Sequence, residues 1–153
     1  MSLHLANLSW KRQSPDFKYE SYDRSHELRF GGGLAIPASS APQYLGKAEY
    51  PNPEELLAAS VSSCHFLTFL AIAAKSRFIV DDYQDEATAV LEKNAEGKET
   101  VTRVILRPRV RFSGENLPTQ EKLHAMHERA HEICFIANAL SCEIVLEPQS
   151  AEG

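Results

Sequence analysis

From Leu56 to Ala74 the chain is apolar apart from Ser60, Ser62, Ser63, His65 and Thr68. A run of this length predicts a helix rather than a strand. Its ends agree. Asn52 is a good N-cap, Pro53 suits the first helical position, and Glu54 and Glu55 fall in the first turn. Lys75 and Arg77 stand at the far end, where the helix dipole favours cations. The run lacks a wide polar face, so the helix should be covered on all sides, partly by a second copy of the chain. Its scattered hydroxyls and imidazole make it a poor bilayer span, and no membrane association is expected.

Elsewhere a period of two dominates. Leu8 to Lys11 and Lys18 to Tyr22 read as short strands. Arg24 to Phe30 reads as another, ended by a turn at Gly31, Gly32 and Gly33, with Leu34 to Ile36 returning. Pro37 to Pro53 carries four prolines and reads as an ordered loop or a poor strand, long enough as a loop to be functional. Glu86 to Leu91 is a strand, and Asn94 to Lys98 a turn. Thr102, Val104, Leu106, Pro108, Val110 and Phe112 then alternate with Arg103, Ile105, Arg107, Arg109 and Arg111. That predicts one buried and one basic, solvated face, with Pro108 at an edge or bulge. A second helix is expected from about Gln120 to Ala137, with Leu123, Met126, Ala130, Cys134 and Ile136 on its apolar side. Ser141 to Leu146 closes the chain as a strand. Strands, helix, strands, helix, strand is an α+β order, and residues 1–153 suit a single domain.

Composition narrows the function classes. With 43% hydrophobic and 24% charged residues the chain is an ordinary soluble globular protein. A formal net charge of -5 argues against nucleic acid or an anionic membrane as partner. No secretory signal is visible, and three cysteines do not make a disulfide scaffold, so a cytoplasmic protein with free thiols is expected. The three glycines do not fit a phosphate-binding loop, and no cofactor is expected.

Candidate chemistry centres on Cys64, Cys134 and Cys142. Cys64 lies within the greasy helix, flanked by Ser62, Ser63 and His65, polar groups that need partners there. Adjacent residues do not share a helix face, so His65 is not thereby a base for Cys64. Cys134, on the second helix, is able to face Cys64 from another element. A thiolate that attacks a peroxide becomes a sulfenic acid, which condenses with a nearby thiol. Arg24 or Arg29 would stabilise such a thiolate, oriented by a carboxylate such as Glu54. A rival constellation is His124, His127, His131 and Cys134, of which the three histidines lie near one helical stripe. Ten residues span about 15 Å of helix, so no more than two or three of these share an ion. The plainer reading is a histidine-rich helix with its polar side wet, and no metal is expected.

Two segments carry a family resemblance. Asn52-Pro53-Glu54-Glu55-Leu56-Leu57-Ala58-Ala59, followed by Ser63-Cys64, resembles the central helix motif of the OsmC/Ohr family. Ala130 to Asn138, around Cys134, resembles that family's second cysteine motif. The resemblance implies an OsmC-like fold: an intertwined homodimer with antiparallel sheets wrapped around two long central helices, and sites at the dimer interface. It also implies a cysteine-based peroxidase acting on organic hydroperoxides, with Cys64 peroxidatic and Cys134 resolving. Arg24 and Glu54 match the family's arginine and carboxylate, and the reductant would be an external dithiol such as a lipoylated protein. The chain departs from the pattern at His65, at Phe135, and before the helix, where only Lys47 stands for an arginine. The alternative is a non-enzymatic binding protein, holding an apolar ligand between its helices or a metal on the His124, His127 and His131 stripe. Glu54 and Cys64 lie ten residues apart, too far for one arginine to bridge along a single helix. Either the helix starts later than Pro53 and Glu54 folds back, or Glu54 serves the Cys64 of a partner subunit; the helix-start signals at Asn52 and Pro53 favour the second.

Overall fold

A computed structural model describes residues 1–149. The chain divides into two compact units, Met1–Leu56 and Leu57–Gly153, each described by itself below.

The first unit is built on a three-stranded antiparallel sheet, β1 (Ala6–Ser9), β2 (His26–Phe30) and β3 (Ala35–Ala38), with β2 central. The glycine turn joins β2 to β3: Gly33 has φ +90°, and its amide donates to the Phe30 carbonyl at 2.9 Å. Lys18 to Tyr22, expected as a strand, is instead a tight turn. Both the Ser21 and Tyr22 amides donate to the Lys18 carbonyl at 3.1 Å, and the Ser21 hydroxyl donates to Asp16 at 2.6 Å. The aromatic residues of this segment meet other rings rather than a sheet: Tyr22 lies tilted against Phe17 at 5.2 Å and edge-on to Tyr19 at 6.3 Å. The proline-rich loop is ordered, as its composition suggested. Buried Ser39 donates its amide to the Pro51 carbonyl at 3.1 Å, and its hydroxyl accepts from the Lys47 amide at 3.2 Å. Gly46 is required here, because a side chain would collide with the Ser40 carbonyl.

Helix α1 spans Pro53–Lys75 and starts where the sequence says. The Asn52 side chain accepts from the Glu55 amide at 2.9 Å, and the Glu55 carboxylate accepts from the Asn52 amide at 3.0 Å. This reciprocal capping box satisfies two of the helix's free donors. The helix ends in a Schellman turn: the Phe78 amide donates to the Ala73 carbonyl and the Arg77 amide to the Ala74 carbonyl, both at 3.0 Å. Arg77 occupies the left-handed position, at φ 61°, that glycine usually takes.

The second unit packs one stripe of α1 (Ala58, Val61, His65, Phe69 and Ala73) into two clusters. One gathers Phe69, Ala73, Val110, Met126 and Ala130; the other Ala58, Val61, Val104 and Leu106. Strand β4 (Ile79–Asp85), which was not expected, pairs antiparallel with β7 (Pro108–Ser113). Its irregularity between Val80 and Asp82 and its aspartates hide the alternation. Strands β5 (Thr88–Lys93), β6 (Glu99–Leu106) and β8 (Glu143–Leu146) form a second sheet with β6 in the middle. The expectation of antiparallel sheets is corrected here, because β8 runs parallel to β6, Val104 opposite Ile144.

The alternating run from Thr102 to Phe112 is likewise two strands in different sheets, broken at Arg107. The Arg107 amide donates to Asp85 at 2.6 Å, and its guanidinium reaches Glu147 at 2.9 Å. Burial of Val104, Leu106, Pro108 and Val110 survives the break, so the face was read correctly although the connectivity was not. Helix α2 covers Gln120–Glu132, capped by the Thr119 hydroxyl, and stops short of the expected Ala137. The Asn138 side chain takes the Glu132 carbonyl at 2.9 Å, which ends the helical ladder.

Candidate active site

In the second unit α1 and the end of α2 bring two cysteines together. Cys64 is half-buried at mid-helix, and the Thr68 hydroxyl donates to its carbonyl at 2.8 Å. Cys134 lies two residues past α2, only 1% exposed. Its amide donates to the His131 carbonyl at 3.2 Å, its carbonyl accepts from the Asn138 amide at 3.0 Å, and its sulfur accepts from the Ala137 amide at 3.5 Å. The two thiols are close enough for one to affect the ionisation of the other. Burial, and then the hydrogen bond to Cys64, push the Cys134 thiol above its ordinary value, while the Ala137 amide pulls the other way. A more accessible thiol in contact with a buried, protonated one suits a nucleophile and its resolving partner.

Beside this pair lies a polar cluster that the sequence had divided between readings. His65 and His127 are both 1% exposed. Their rings are within 6° of parallel with centroids 5.4 Å apart, and His65 Nε2 meets His127 Nδ1 at 3.1 Å. His127 also stacks on Phe69 at 4.4 Å. Burial pushes His65 down to about 4, with His131 adding to the effect; it pushes His127 down to about 3, with His65 and His124 adding. Both are therefore neutral at pH 7. His65 Nδ1, His127 Nε2 and His131 Nδ1 are buried without a hydrogen-bond partner among the described residues. The wet histidine face expected of α2 is corrected for His127, which points into the core between Met126 and Ala130; His124 remains exposed beside Glu128. The missed signal is periodicity, since residue 127 falls on the same stripe as Leu123 and Ala130. Among the described residues no group of three or more histidine, cysteine or acidic side chains is placed to hold a metal ion.

In the first unit the Arg24 guanidinium is held by backbone and rings. It donates to the Tyr22 carbonyl at 2.9 Å and the Tyr19 carbonyl at 2.6 Å, and lies 4.0 Å from the Tyr22 ring centroid and 4.9 Å from that of Tyr19. It borders a cavity of about 380 Å³ walled by Leu8, Trp10, Phe17 and Tyr22. Neighbouring Asp23 has its carboxyl held below the usual value by the Ser25 hydroxyl and amide. Glu54 is half-buried in the first turn of α1. Among the described residues Arg24 and Glu54 form no ion pair with each other. Arg29, the other candidate, is paired with Glu27 at 2.8 Å, and Lys47 with Asp23 at 3.6 Å. The tyrosine seat of Arg24 is not legible in the sequence, because it depends on a turn that was read as a strand.

Comparison with known proteins places this arrangement. The profile of a family described as OsmC-like protein matches residues 46–149. Among solved structures, an OsmC-like protein of unknown function from Vibrio cholerae is 46% identical, with a TM-score of 0.93 over 97% of this chain and 100% of that one. An OsmC-like protein from Mycoplasma pneumoniae shares the fold at 12% identity, with a TM-score of 0.76 over 99% of each chain. An organic hydroperoxide resistance protein from Elizabethkingia anophelis does so at 17% identity, with a TM-score of 0.72 over 100% of this chain and 98% of that one. No curated protein sequence matches this one significantly.

Proposed function

Since the chain belongs to the OsmC-like protein family, we propose that it is a homodimeric thiol peroxidase that reduces organic hydroperoxides through Cys64 and Cys134. The observation that carries this reading is the direct contact between half-buried Cys64 and buried Cys134. The Cys64 thiolate attacks the distal peroxide oxygen. The O–O bond breaks, the alkoxide leaves and takes up a proton, and sulfur, oxidised by two electrons, becomes a sulfenic acid. The Cys134 sulfur then attacks Cys64, a disulfide forms, and hydroxide departs with the Cys134 proton as water. An external dithiol, such as a lipoylated protein, returns both cysteines to thiols and is itself left as a disulfide. Such turnover suits a reducing cytoplasm.

Arg24 supplies fixed donors to the developing negative charge, and Glu54 orients it. The apolar walls beside Arg24 favour an alkyl or lipid-derived hydroperoxide over hydrogen peroxide. The dimer rests on the outer stripe of α1, opposite the buried one: Ala59, Ser60, Ser63, Leu67, Ala71 and Ala74 are exposed, Leu67 at 61%. Small residues there allow a second helix to approach closely. By length and composition α1 is also apolar enough to cross a bilayer. The stripe carrying His65 is packed against protein, which favours a second copy over lipid as the cover for the rest. The chemistry is tested by stopped-flow oxidation with cumene hydroperoxide. Cys64 should react orders of magnitude faster than free cysteine, and Cys134→Ser should halt at the sulfenic acid. A Cys64 no faster than free cysteine would refute the reading.

A further inference from the structure

The buried pair His65 and His127 has no part in the chemistry above, yet it joins the two segments that carry the cysteines. His65 directly follows Cys64 on α1, and His127 stands one turn before His131, whose carbonyl holds the Cys134 amide at 3.2 Å. We infer that the His65–His127 hydrogen bond is a positioning device that sets α1 against α2 so that Cys64 and Cys134 meet.

Three observations support it. First, the bond is directional and runs between the two elements that carry the cysteines, at 3.1 Å between rings that are 1% exposed. Second, the pair is poorly designed for stability alone. In either tautomer one ring donates to the other, which leaves a bare lone pair on one histidine and an unpaired N–H on the other, at His65 Nδ1 and His127 Nε2. Two apolar side chains of similar size would fill the space without those orphans. A hydrogen bond, unlike apolar packing, fixes both the axial position and the rotation of each helix. Third, Phe69 stacks on His127 at 4.4 Å and so limits the ring's freedom to turn. An error of one ångström at residue 65 is carried to Cys64, because neighbouring residues are offset by only about 1.5 Å along the axis.

The proposed step is condensation of the Cys64 sulfenic acid with the Cys134 thiol, so the inference deepens the peroxidase reading and rests on it. It is nevertheless testable without peroxide. Cys64–Cys134 disulfide formation is measured at equilibrium in glutathione buffers, by alkylation and mass, on the full chain at fixed concentration. The amide of asparagine reaches the position of a histidine Nδ1, whereas that of glutamine extends one methylene farther. His127→Asn should keep the equilibrium constant within about twofold of the parent, and His127→Gln and His127→Leu should lower it about tenfold, about 30 mV in potential. A merely space-filling role would reverse the order, because glutamine is nearer to histidine in volume and asparagine would leave a void. If His127→Leu does not fold, the asparagine and glutamine variants carry the test alone. Equal constants for asparagine and glutamine, or a parent-like constant in the leucine variant, would overturn the inference. A second arm adds cumene hydroperoxide in slight excess. Slow Cys64 oxidation in the parent defeats the peroxidase reading while the glutathione result still stands. Normal Cys64 oxidation, with sulfinic acid accumulating in His127→Gln, is the outcome expected when both hold.

Discussion

The same two histidines predict how the fold responds to acid. In the unfolded chain each titrates near 6.5; in the fold His65 is pushed down to about 4 and His127 to about 3. The groups facing them are His131 toward His65, and His124 and His65 toward His127, each of which opposes a further positive charge. Between pH 6.5 and about 4 the unfolded state therefore binds more protons than the folded state, and stability falls as pH falls. The contribution is fully present above 6.5 and is lost progressively below it. Each histidine supplies at most about 1.4 kcal/mol per pH unit, so the pair costs up to about 4 kcal/mol between pH 6.5 and 5. That is a large share of the ~5–15 kcal/mol by which domains are usually stable. Asp23, whose carboxyl is held low, acts in a separate window below its ordinary 3.8.

The assay is urea unfolding at half-unit steps from pH 7.5 to 5, at one protein concentration so that subunit association does not distort the comparison. The parent should lose stability steeply below pH 6.5. His127→Leu should lose it at about half that slope, and the double variant His65→Leu with His127→Leu should be nearly flat, whatever its absolute stability at pH 7. A double variant as acid-sensitive as the parent would refute the argument and place the proton uptake elsewhere.

Two further outcomes follow from the structure. Arg77→Gly places at the Schellman position the residue that tolerates φ 61° without strain, so it should raise stability by about 0.5–1 kcal/mol in the same urea assay, whereas Arg77→Ala should not. Mixed dimers of Glu54→Ala and Cys64→Ser chains should recover peroxidase activity that neither homodimer has, since a cross-subunit Glu54 leaves one site free of both lesions; confirmed heterodimers without recovery would exclude that arrangement.

What was legible in the sequence follows the physics of each segment. The start of α1 was readable to the residue because Asn52, Pro53 and Glu55 act on their own backbone, and local hydrogen bonds need no tertiary information. The buried face through Val104, Leu106, Pro108 and Val110 was readable because burial imposes a period of two. The division at Arg107 was not, because alternation continues through it. What breaks the strand is a distant carboxylate, Asp85, that takes the Arg107 amide and also accepts from Ser62 on α1. The cysteines were found as a pair through family motifs. Their contact depends on how α2 ends, which Asn138 decides from outside the helix. His127 was misplaced because histidine is polar by composition, and only a partner such as His65, sixty-two residues away, makes its burial tolerable.

These features assign different tasks to the two sides of α1. The inner side carries His65, Phe69 and Ala73 and is fixed by the core. The outer side, Ser60, Ser63, Leu67 and Ala71, carries no charge and is exposed among the described residues. Cys64 falls between them, half-buried, near enough to the core to act on the Cys134 thiol. A thiol placed wholly inward would be raised by burial, as Cys134 is, and would lose its nucleophilic form; one placed wholly outward would have no resolving partner. The boundary position meets both requirements. On the proposed reading, reactivity rests on two contacts of different kinds: the hydrogen-bonded histidines on the inner side, and a second copy of the chain over the outer one.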